Sequence, residues 1–122
     1  MAKISVLTIS MTVTGDGLSG AGYTPPNIPQ TNNDAPQASP VPLVLASGDN
    51  AVAVPKSAAG TYAKWLVLTP PPGSVVAKKL GLGADTGWPI DPAATVAITI
   101  PNGTATVHIN AGAGETCQAA WG

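Results

Sequence analysis

The chain has 122 residues, enough for one domain with an arm, and only 9% are charged: five Lys, no Arg and six acids, for a net charge of −1. Such a surface lacks the basic patch of a nucleic-acid binder and the Leu, Glu, Lys and Arg faces of a helical bundle. A single Cys excludes a disulfide scaffold, and 44% hydrophobic residues with almost no net charge exclude long disorder.

Residues 1–14 read as an N-terminal strand. Leu7, Ile9, Met11 and Val13 share one face and Thr8, Ser10, Thr12 and Thr14 the other, while Ile4 and Val6 sit in the opposite phase, as a bulge or edge crossing near Val6–Leu7 would produce. The polar interruptions leave no unbroken apolar stretch for an export signal, and no run approaches the ~20 residues of a spanning helix. Synthesis in a cytoplasm and no membrane partner are therefore expected. Residues 15–42 hold Gly15, Gly17, Gly20 and Gly22, then Pro25, Pro26, Pro29, Pro36, Pro40 and Pro42. Proline lacks the donor that a sheet interior needs, so this stretch reads as an extended arm.

From residue 43 to 122 short strand patterns alternate with turn signals. Pro42–Ala46 is followed by a turn at Ser47–Asn50, then by Ala51–Pro55 with Val52 and Val54 in phase. Thr61–Thr69 is apolar on both faces from Trp65 onward, as a central strand would be. Pro70–Gly73 turns the chain, and Ser74–Leu80 is a strand. Gly81–Ala93 reads as a long loop. Thr95–Ile100, Ala105–Asn110 and Glu115–Trp121 are strands, the last two joined by Ala111–Gly114 as a hairpin. About eight short strands at this spacing predict an antiparallel β-sandwich or jelly roll.

Chemical motifs are sparse. Gly15-Asp16-Gly17-Leu18-Ser19-Gly20 fits the dinucleotide pattern, but the prolines after it cannot open the helix that the pyrophosphate requires. In the expected hairpin, His108 faces Cys117 across the strands, the spacing of a dyad or half a metal site. No third orienting group and no other His or Cys accompanies them, so an ordinary cross-strand pair is expected. The five Asp residues all fall in turns or loops, with Asp85 and Asp91 the two that share one loop. No catalytic, cofactor-binding or metal residue is assigned.

The remaining signal concerns contacts. Trp65 and Trp121 lie in strand patterns and are expected in the core. Trp88, between Gly87 and Pro89, and Tyr23, at the start of the arm, are surface candidates, joined in the arm by Pro25, Pro26, Ile28 and Pro29. Charge is depleted where protein meets protein. A charge-poor surface, an arm and a core of small side chains predict a homo-oligomer, with a trimer favoured.

The second half resembles small virion structural proteins of tailed bacteriophages. The resemblance spans residues 61–122 and rests on Leu66-Val67-Leu68-Thr69-Pro70-Pro71-Pro72-Gly73, Lys78-Lys79-Leu80-Gly81, Gly83-Ala84-Asp85-Thr86-Gly87 and the terminal strand ending in Trp121. It implies a non-enzymatic capsid decoration (cement) protein or a related head or tail accessory, located in the virion and bound to the major capsid protein or other virion subunits. Tail-fibre or adhesive subunits and a small carbohydrate-binding module are the alternatives.

Overall fold

The computed structural model describes residues 3–8, 30–37 and 39–122. All of its regular elements are strands. Two of them, β1 (Lys3–Leu7) and β2 (Gln30–Ala35), pair antiparallel as a separate ribbon, with Leu7 opposite Gln30 and Lys3 opposite Ala35. The register shifts between Lys3 and Ser5, earlier in the strand than the Val6–Leu7 step at which the change of phase predicts an irregularity; Ser5, Val6 and Leu7 pair in regular register.

The other eight strands are β3 (Val41–Leu45), β4 (Gly48–Ala53), β5 (Trp65–Thr69), β6 (Lys78–Gly81), β7 (Trp88–Ile90), β8 (Val96–Thr99), β9 (Thr106–Ala111) and β10 (Glu115–Trp121). They form two antiparallel sheets ordered β3-β10-β5-β8 and β4-β9-β6-β7. Apart from the β6–β7 hairpin, every consecutive pair from β3 onward changes sheet. This is the double Greek key of an eight-stranded jelly roll.

Period-two alternation builds the core. On β9, Val107, Ile109 and Ala111 are buried while Thr106, His108 and Asn110 are half-exposed. Cys117, Ala119 and Trp121 on β10 and Leu66 and Leu68 on β5 meet them from the other sheet. Trp65, one residue from Leu66, faces the outer side of its sheet. It is buried there beside Ser5 of the ribbon, at a point where a Cβ on Gly122 would collide with both. The ribbon has a second anchor: the Ser57 hydroxyl donates to Asp34 at 2.7 Å and accepts from the Thr61 amide. Hydrogen bonding from the Ser57 hydroxyl first, and from the Thr61 side chain second, holds the Asp34 carboxyl below its usual range.

Four sequence readings change. The stretch 15–42 is not arm throughout, because Gln30–Ala35 has every backbone donor intact and pairs with β1, and β3 already begins at Val41. The loop 81–93 contains β7, which closes a hairpin on β6. Strand β4 starts at Gly48, inside the predicted turn. There Asn50 replaces turn chemistry with four bonds: its Oδ1 accepts from the Ala46 amide, and its Nδ2 donates to the carbonyls of Ala46, Gly48 and Ile109. Finally, β9 and β10 form no hairpin. Gly112–Gly114 carries the chain from one sheet to the other, so His108 lies opposite Ala51 and Gly81, and Cys117 opposite Leu43.

Candidate assembly surface

Trp88 owes its position to a tight hairpin end. Gly87 adopts φ 113°, and a Cβ there would strike the Leu80 carbonyl; a Cβ on Gly81 would strike Gly87 in turn. Only glycine fits that approach. Asp85 takes φ 54°, the left-handed region that Asp tolerates, and accepts a bond from Asn110 Nδ2 at 2.6 Å. That bond ties the hairpin to β9. The Thr86 amide and hydroxyl both donate to the Gly83 carbonyl.

β7 and β8 are the end strands of their sheets on the same side of the sandwich. Between them opens an apolar groove of about 430 Å³, lined among others by Leu80, Leu82, Trp88, Ile90, Val96 and Ile98. Among the described residues, no charged side chain lines it. Trp88 is 78% exposed and Leu82 56%. Monomers seldom expose connected apolar surface of this kind, and edge strands are usually guarded by charge or proline. Pro89 gives β7 such a guard, whereas β8 has none between Val96 and Thr99.

Trp88 thus sits where the sequence places it, on the surface. The other predicted contact residues, Tyr23, Pro25, Pro26, Ile28 and Pro29, lie outside the described residues. Trp121 is buried in the core, as expected, whereas Trp65 is buried on the outer face of its sheet, against the ribbon.

The His108–Cys117 pairing of the sequence reading does not form. His108 Nδ1 lies 2.9 Å from Asp49 Oδ2, not near Cys117. Cys117 is fully buried, and its thiol is pushed up first by that burial and then by the neighbouring Glu115 carboxylate. We expect native protein at pH 8 to take up no thiol reagent and to react stoichiometrically once unfolded in urea; rapid labelling of folded protein would contradict this burial. Asp91 caps the turn that follows it, accepting from the Ala93 amide. No group of three His, Cys, Asp or Glu able to hold a metal exists among the described residues. Nor is any helix among them long and apolar enough to cross a membrane.

One polar cluster escaped sequence reasoning. Lys78 on β6 is 2% exposed, and its ammonium donates to Glu115 Oε2 at 2.6 Å, to the carbonyls of Val76 and Pro92, and to Ser74 Oγ. The Ser74 hydroxyl donates to Glu115 Oε1, and the Cys117 thiol contacts Oε2 at 3.6 Å. Lys78 and Glu115 belong to opposite sheets, so the pair is a staple across the sandwich. Neighbouring Lys78-Lys79 offers only one hint: in a strand, adjacent residues face opposite ways, so one of the two must face inward.

Set beside known proteins, the chain matches no family model, no curated protein and no solved structure.

Proposed function

We propose that this chain is a non-enzymatic structural subunit of a virion, a capsid decoration protein that self-associates and stabilises contacts between capsomers. The observation that carries the assembly part is the open side of the jelly roll, where Trp88 overhangs a charge-free groove instead of a closed core. The charge-poor composition and the phage-like second half support the same reading. So does the placement of the Gly/Pro-rich stretch, which leaves the ribbon at Leu7 and rejoins it at the paired Gln30. The 22 residues between them reach at most ~36 Å from their base, at ~3.3 Å per residue out and back, far enough to touch a neighbouring subunit.

A sugar-stacking role for Trp88 has less behind it. Among the described residues the groove offers only the Thr99 hydroxyl and the Trp88 indole N–H as polar side-chain groups, and sugars need several hydrogen-bonding partners.

Mixing purified protein with shells that lack it tests the reading. We expect the full chain to co-sediment with the shells. A variant lacking residues 16–28, which keeps β1, β2 and the sandwich, should fold with the same thermal midpoint yet remain in the supernatant. Equal binding of that variant would overturn the clamping role, and a full chain that never binds would overturn decoration itself.

A further inference from the structure

The turn between β8 and β9 holds a reactive dipeptide. Thr99 ends one strand and Thr106 opens the next. Between them the Thr104 amide donates to the Pro101 carbonyl at 3.1 Å, closing the chain around Asn102 and Gly103. Both of these residues are exposed. Gly103 adopts φ 80°, and a Cβ placed there would meet nothing within 4 Å, so its backbone stands in open space.

An asparagine carries its own electrophile. Its side-chain amide carbon can close a five-membered ring with the backbone nitrogen of the next residue. A side chain on that next residue crowds the attack, and glycine has none. Any hydrogen bond that fixes the attacking nitrogen or the side-chain amide also opposes it, because the peptide between the two residues must rotate.

Of the six Asn residues, Asn102 alone precedes a glycine. The Asn50 side chain is held by four bonds, and Asn110 donates to Asp85 from within β9. Asn32 is 1% exposed. The Asp34 amide, which would have to attack Asn33, already donates to Asn32 Oδ1. Asn27 precedes Ile28, whose branched side chain crowds the nitrogen. By contrast, no described residue bonds to the Asn102 side chain, to its carbonyl or to the Gly103 amide. The peptide joining them can rotate while the Thr104–Pro101 bond keeps the turn closed.

We propose that Asn102–Gly103 is a self-modifying site, at which the folded chain converts Asn102 to aspartate and isoaspartate through a cyclic imide. Hydroxide takes the Gly103 amide proton and the nitrogen bonds to Asn102 Cγ. The Cγ–Nδ2 bond then breaks, and ammonia leaves with a proton from water. Water next opens the imide. Breaking the new bond at Cγ restores the main chain and leaves aspartate; breaking the original peptide bond leaves isoaspartate, with the main chain rerouted through the side chain. No oxidant and no second protein takes part. Each conversion adds one negative charge, taking the chain from −1 to −2. The new carboxylate stands next to Pro101, a lining residue of the apolar groove.

Incubating the folded full-length protein at pH 8, digesting it with pepsin in acid and sequencing the peptides by mass spectrometry tests this. The peptide carrying residue 102 should gain one mass unit and resolve into two peaks of equal mass, of which only one accepts a methyl group from an isoaspartyl methyltransferase. The intact chain should elute later on anion exchange, and conversion should be slower at pH 6. Asn102→Gln should show neither the gain nor the shift. A gain at another Asn with residue 102 intact overturns the assignment, and aspartate as the sole product overturns the imide route. Conversion only after unfolding in urea overturns the free rotation of this peptide in the fold.

Discussion

Truncating Lys78 to Ala should destabilise the fold by about 3–5 kcal/mol at pH 7, read from urea denaturation. The Lys78 side chain has no solvent exposure and Glu115 has 4%, so the variant leaves a carboxylate buried without its counter-ion. The carbonyls of Val76 and Pro92 lose a donor as well. The cost belongs to the broken pair and not to the pair itself, because two charges taken from water repay little beyond their own desolvation. A double variant, Lys78→Met with Glu115→Leu, should therefore recover most of the loss. If Lys78→Ala alone is neutral, the pair is solvated in solution and staples nothing.

The same cluster sets an acid limit. Burial pushes Glu115 up, but the bonds from Lys78 and Ser74 outweigh it and hold the carboxyl below its ordinary value of 4.5. A carboxyl depressed in the folded state stabilises it fully above the ordinary range, and that contribution drains away as pH falls through the depressed value. Native protein should lose stability from about pH 4.5 downward. In Lys78→Ala, burial dominates and the sign reverses: acid should stabilise that variant relative to neutral pH.

The second large effect maps where the core is closed. Leu68 is fully buried between the sheets, and Leu68→Ala should cost about 2–5 kcal/mol. Ile98 lies one strand further toward the open side and is half-exposed. Ile98→Ala should cost about half as much in dilute protein, in proportion to the area it buries. As concentration rises and the groove fills, the two costs should converge; thermal midpoints measured across a concentration series check this. Equal costs in dilute protein would mean that the groove is already closed.

The fold class was legible because its signal is local. Val96, Ile98, Val107 and Ile109 announce strands by period two, and Pro70–Gly73 and Pro101–Gly103 announce turns; Gly73 and Gly103 adopt φ 72° and 80° there. What stayed hidden depends on which sheet a strand joins. A four-residue connection can close a hairpin or cross between layers, and Ala111–Gly114 reads the same either way. The His108–Cys117 register fell with that choice, and the Lys78–Glu115 staple, 37 residues apart in sequence, became visible only with the layers in place. β7 was missed because Trp88-Pro89-Ile90 is three residues long with a proline at its centre. Trp88 was legible as an exposed aromatic, but its inward facing was not, since that follows from pairing with Leu80.

The pairing of Leu7 with Gln30 has a consequence for engineering. A segment closed at its base by neighbouring strands charges the fold only for bringing its ends together, and doubling its length adds about 0.6 kcal/mol. The jelly roll does not pass through that segment. The stretch between the two strands is therefore a port into which foreign sequence can be spliced at small cost to the fold.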